Sequence, residues 1–202
     1  MLSAPALRIM ACALRTLLAE TSALTTKAGS HTFSMTRSAR KVSPILSEPF
    51  LVIVPAAYRA GKFSLPKLAK DLDLIRFGRD PTLHSRFDRA LEGHGVAAQH
   101  RFHLDTTEGV LAMIAVGSGW TILPPLALIK ALTRGEAIRA LPFPGKPIHR
   151  TVNIVSLKSE RLDIAQQIRG AAVEALEEHF LPPLRKLLPT AAALTTLHGA
   201  GK

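Results

Sequence analysis

His100 and His103 stand three residues apart, a spacing that on an alternating strand sends the two rings to opposite faces and keeps them from sharing one metal ion. Asp71 and Asp73 fall on one face of an extended chain, but Lys70 beside them marks a solvated turn and not an acid–base pair. Gly117-Ser118-Gly119 lacks the third glycine of a dinucleotide loop and follows a helical stretch, so it reads as a helix stop. Neither a Gly-x-Ser-x-Gly elbow nor a phosphate loop is present. Cys12 is the only cysteine, which excludes an internal disulfide and a thiolate zinc cluster. No catalytic constellation, cofactor or metal is expected. Two turns keep chemical interest, Phe77-Gly-Arg-Asp-Pro-Thr and Leu104-Asp-Thr-Thr, because each leads from a strand into a helix. At such a junction the exposed backbone N–H groups and the helix dipole favour an anionic ligand group. Gly78 permits close approach, Arg79 supplies charge, and Thr82, Thr106 and Thr107 supply hydroxyls. The same residues have structural roles open to them: Asp105 and Thr106 as helix caps, and Arg79 with Asp80 as a surface pair. Glu108 would repel an anion if it faced the site, so the charge of any ligand stays open.

The elements that hold these turns alternate along the chain. Phe50 to Val54 is a continuous apolar run, as in a strand buried on both faces, and Pro55 stops it. Ser64 followed by Pro66 starts a short helix, Leu74 to Phe77 is a strand, and Pro81 to Gly93 carries Leu83, Phe87, Ala90 and Leu91 at helical spacing. Strand, helix, strand, helix continues to a long amphipathic helix through Ile164, Ile168, Ala172 and Leu176, interrupted at Pro182 and Pro183, and predicts a parallel α/β sheet. The 202 residues, 47% hydrophobic and 20% charged, suffice for one domain or two small lobes. Aromatic residues make up 5%, with Trp120 and Tyr58 single of their kind, which argues against a base-stacking platform for nucleic acid. Of the net charge of +11, residues 1–45 carry +5; the remaining excess is interspersed with acids, the pattern of a solvated surface and not of a phosphate-binding stripe. Arg8 and Arg15 interrupt the one early apolar run, so no stretch is expected to span a membrane.

Three segments in order, LSEPFLVIVPA, SLPKLAKDLDLIRF and TTEGVLAMIAVGSGWTILPPLAL, resemble the substrate-binding domain of LysR-type transcriptional regulators over about Ile45 to Leu188. The resemblance implies an α/β fold of the type 2 periplasmic-binding kind, two lobes around a cleft, with the first lobe incomplete because only about 45 residues precede the Glu48-Pro49-Phe50 strand. The expected organisation is an irregular basic segment over 1–45, mistranslated or truncated, then the LysR-like domain over 46–188, with lobe two at about 60–146 and lobe one at 46–57 and 148–188. A disordered tail is expected over 189–202. By the resemblance, Gly78, Arg79, Thr82, Thr106 and Thr107 lie on effector-contacting loops. The implied partners are a small-molecule effector, a carboxylate among the candidates, and a second copy or other LysR-type subunits, paired through the helix from Pro81 to Glu92. DNA would be reached only through a reader domain absent from this chain, and the location would be cytoplasmic. The shortened first lobe is expected to leave the Phe50 to Val54 strand with an uncovered edge prone to aggregation. A free solute-binding protein of the same fold and a small α/β enzyme are the alternatives.

Overall fold

The computed structural model describes residues 40–59, 61, 63–97, 100–157 and 162–199. Cys12 and the rest of the stretch up to residue 39 lie outside the described residues. The chain runs β1 (Arg40–Pro49), β2 (Leu51–Pro55), α1 (Leu65–Asp71), β3 (Leu74–Phe77), α2 (Pro81–Glu92), β4 (His100–Leu104) and α3 (Thr107–Ala115). It continues through β5 (Thr121–Leu123), α4 (Pro125–Thr133), β6 (Ile138–Pro142), β7 (His149–Leu157), α5 (Leu162–His179), α6 (Leu181–Leu187), α7 (Pro189–Ala193) and β8 (Thr196–Leu197).

Lobe two is a mixed sheet. β3 and β4 are parallel, and Leu74 forms a parallel bridge with Trp120 at the head of β5. β2 is antiparallel to both β5 and β6, so the strand order is β4-β3-β5-β2-β6. This corrects two expectations. The sheet is not wholly parallel: β2, expected in lobe one, lies in this sheet between β5 and β6 and runs against both. Nor does β2 have an uncovered edge: it lies in the sheet centre, with Val52, Ile53 and Val54 fully buried. Helices cover both faces. Leu65 and Leu68 of α1 and Phe87 and Leu91 of α2 pack with Phe50, Val52 and Val54, while Val110 and Ile114 of α3 and Leu126 and Leu128 of α4 pack with Leu51 and Ile53.

Caps written in the sequence set the helix starts. Ser64 accepts from Lys67 N, Asp80 accepts from Thr82 N and Leu83 N, and Thr106 accepts from Gly109 N. Gly119 has a packing role beyond ending a helix: a Cβ there would run into Asp73 O and the side chain of Ile75, so only glycine lets β5 approach β3.

Two strands cross between the lobes, β1 leading into β2 and β7 following β6, and they pair antiparallel over Arg40↔Leu157 to Pro49↔His149. The irregular segment expected up to residue 45 therefore ends earlier, since Arg40 already stands in β1. The tail expected to be disordered past Pro189 is also ordered through Gly199. Ala191 of α7 is buried, and β8 pairs with β1 at Leu46 and Ser47, because that side of β1 offers an open edge. Helices α5 and α6, with Phe180 between them, place Ala172, Leu176, Phe180 and Leu184 in the same core as α3 and α4, which joins the lobes through one apolar cluster.

Candidate functional site

A cavity of about 420 Å³ opens where the ends of β3 and β5, the start of α2 and the start of β7 converge. Its size is in the range of small-molecule sites. One wall is apolar: Phe50 meets Phe87 edge to face with centroids 4.8 Å apart, beside Leu83, Ile122 and Leu123. The other wall carries Arg76, Arg79, Arg86 and Arg150 with Asp80 and Asp88.

Of the residues singled out from sequence, Gly78, Arg79 and Thr82 line this cavity. Gly78 adopts φ +70 at the end of β3, a conformation that suits glycine, and its N–H donates to Leu104 O at 3.0 Å. The Gly78 and Thr106 turns are thus neighbours across β3 and β4. Thr106 and Thr107 are not among the cavity's lining residues. The Thr106 hydroxyl caps α3, and Thr107 is buried against a second hollow of about 380 Å³ between α3 and α4, which Glu108 also lines. Glu108 therefore does not face the first cavity.

The electrostatics differ from the simple anion cradle in one respect. Asp80 already occupies the Thr82 and Leu83 N–H groups at 2.9 and 3.2 Å, so the chain supplies its own carboxylate to the α2 N-terminus. Arg79 pairs with Asp105 at 2.7 Å and not with Asp80, which is held by its cap. The hydrogen bond from Arg79 holds the Asp105 carboxyl below the usual range. Arg76 pairs with Asp88 and donates through Nε to His100 Nδ1 at 3.0 Å. Arg86 donates to His149 O at 3.0 Å, tying α2 to the head of β7 across the cavity mouth.

Sequence reasoning missed the most deeply set ion pair. Glu48 on β1 is 0% exposed and accepts from Arg150 of β7 at 2.7 Å and 2.8 Å, while its other oxygen accepts from Leu126 N in the first turn of α4 at 2.9 Å. Burial pushes the Glu48 carboxyl upward, against the pull of Arg150 and Leu126 N–H. The signal was legible: Glu48 is the one acid at the edge of the apolar run LSEPFLVIVP, where a charge demands a partner.

The histidine expectation is corrected as well. The β3–β4 register shifts between Leu74/His100 and Ile75/Phe102, which leaves Arg101 as an extra residue on β4. That bulge breaks the alternation, so His100 and His103 come together with ring centroids 6.1 Å apart, and His84 lies 5.7 Å from His103. The imidazoles meet backbone carbonyls, His84 at Phe77 O and His103 at Gly78 O. Among the described residues no group of three or more His, Cys, Asp or Glu is arranged to hold a metal ion. No described helix is long and apolar enough to cross a membrane.

Comparison with curated protein sequences finds no match. Among solved structures the fold is similar to the effector binding domain of QuiR in complex with shikimate, with TM-score 0.53 and 15% identity over 73% of this chain and 70% of that one. It is similar to the reduced OxyR regulatory domain from Pseudomonas aeruginosa, with TM-score 0.52 and 22% identity over 70% of each. The regulatory domain of MetR, a LysR family regulator from N. meningitidis, gives TM-score 0.55 and 12% identity over 72% of this chain and 70% of that one. At these identities the likeness establishes the fold, two lobes of the type 2 periplasmic-binding kind. A family model described as the LysR substrate binding domain matches residues 36–181, most of the chain. The chain belongs to the LysR substrate-binding domain family, the effector-binding part of transcriptional regulators.

Proposed function

We propose that the cavity at the lobe crossover is the effector site, and that its occupancy changes the angle between the lobes and so the arrangement of subunits. The observation that carries this is its position: it joins α2 and β3 of lobe two to β7, so a ligand there touches the moving part and the hinge at once. Gly78, Arg79 and Thr82 contact the effector directly, and Thr106 and Thr107 act from the neighbouring turn by fixing the start of α3. The effector is small, with an apolar face set against Phe50 and Phe87 and a polar group turned toward the arginines. The chain acts without catalysis, in the cytoplasm, and self-associates through α2.

The test is a thermal-shift and calorimetric screen of the full chain against sugar acids, amino acids and aromatic acids, repeated on Thr82→Tyr. Thr82 is exposed at the cavity mouth, so the tyrosine blocks entry without disturbing the core. A ligand that binds the parent chain and not the variant supports the site. Binding that Thr82→Tyr leaves unchanged, or no binding by any compound, overturns it. Sedimentation at high protein concentration tests self-association, and a clean monomer there refutes it.

A further inference from the structure

Three of the arginines around the cavity, Arg76, Arg79 and Arg150, are matched by a carboxylate, and the burial of that carboxylate decides what a ligand's charge must do. Asp88 and Asp105, the partners of Arg76 and Arg79, keep 33% and 51% of their side-chain surface in water. If a ligand draws either arginine away, the freed carboxylate is rehydrated where it stands. Arg150 differs. It lines the cavity with 16% of its side chain exposed, yet its guanidinium bonds to Glu48, which has none. A Glu48 carboxylate that shares Arg150 with a second anion has no water to replace what it loses, and a buried, partly unpaired carboxylate takes a proton.

We propose that the cavity takes a small organic monocarboxylate on Arg150, and that Glu48 takes up one proton from solvent as the ligand binds. This rests on the effector-site reading and specifies the charge of the ligand and the regulation of that site by pH. The balance is simple: the ligand brings one negative charge, Glu48 gives one up by protonation, and Arg150 keeps a single carboxylate partner. The neutral acid still accepts from Leu126 N through its carbonyl oxygen, so the cap on α4 survives. A dianion is disfavoured, because the first-turn amides of α2 are already spent on Asp80. The groups facing Glu48 are Arg150 from β7 and the Leu126 N–H from α4. Around the cavity beyond Arg150 stand Arg76 of β3, Arg79 and Asp80 before α2, His84, Arg86 and Asp88 of α2, and His149 at the start of β7. Arg86 is exposed at the mouth and tied to the His149 carbonyl, so its charge steers an anion inward but is shared with solvent.

Phenylacetate and its uncharged isostere phenylacetamide are the probes, titrated into the full chain by calorimetry in two buffers of different ionisation heat. Phenylacetate is expected to bind with uptake close to one proton, and its affinity to fall by about tenfold per pH unit above neutrality, the slope of one linked proton. Glu48→Gln keeps an acceptor for Leu126 N and is expected to bind phenylacetate with no proton uptake and a flat pH profile. Arg150→Met is expected to lose phenylacetate at least tenfold while keeping phenylacetamide. Phenylacetate binding without proton uptake, or equal uptake in Glu48→Gln, overturns the proposal. Phenylacetamide bound and phenylacetate refused overturns it while leaving the effector cavity intact. Refusal of both also overturns it, and the cavity reading then stands or falls on the screen and on Thr82→Tyr.

Discussion

Replacing Arg150 by methionine isolates the buried charge at the crossover. The side chain of Glu48 loses both guanidinium contacts, at 2.7 Å and 2.8 Å, and keeps only the Leu126 N–H. Removing one partner of a buried ion pair costs about 3–5 kcal/mol. For a chain of this size that corresponds to a fall in Tm of roughly 6–20 °C. The pH dependence has a definite sign. Glu48 binds its proton more tightly in the folded chain than in the unfolded one, so its contribution is fully present below the ordinary carboxylate value of 4.5 and is lost as pH rises through the folded value. Arg150 opposes that loss; without it the decline in stability with rising pH becomes steeper. Urea melts of the parent chain, Arg150→Met and the double variant Glu48→Gln with Arg150→Met, at mildly acidic and mildly alkaline pH, measure this. The single variant should be worst at alkaline pH, and the double variant, with no buried charge, should recover much of the loss. An Arg150→Met chain equally destabilised at both pH values, or no better when Glu48 is also neutralised, would refute the reasoning.

Gly119→Ala should cost about 1–3 kcal/mol in a urea melt, because the new methyl meets backbone at Asp73 and must push β5 from β3; an unchanged midpoint would show that the two strands yield freely. His100 should titrate below 6.5 by NMR, since burial, then Arg76, His103 and His84 disfavour its charge. With the folded value lowered, its contribution is present above 6.5 and lost as pH falls through the folded value, and His100→Asn should remove that part of the acid dependence. A His100 midpoint at or above 6.5 would contradict this. His198→Ala should destabilise the chain by about 0.5–1.5 kcal/mol through loss of the Ser47 Oγ bond at 2.8 Å. Hydrogen exchange at Leu46 and Ser47 should quicken in that variant if the tail guards the edge of β1; unchanged exchange there would show that it does not.

By itself the sequence determined what is local. Apolar runs marked β2 and the core of lobe two, Ser64 and Thr106 started their helices, and three ordered segments carried the family. It also placed Gly78, Arg79 and Thr82 on one turn, since neighbours in sequence stay neighbours in space. Only the tertiary structure decided what depends on residues far apart in the chain. Glu48 and Arg150 stand 102 residues apart, and nothing in either neighbourhood says that they meet. The direction of β2 follows from a crossover between lobes, and the company of His100 and His103 follows from a bulge set by the pairing with β3. The tail after Pro189 reads as a chain end of small residues, where order is not expected, yet it is ordered through Gly199 because an open strand edge and Ser47 receive it. Local propensity fixes which elements form; burial and long-range pairing fix which charges face one another, and that decides what a cavity can bind.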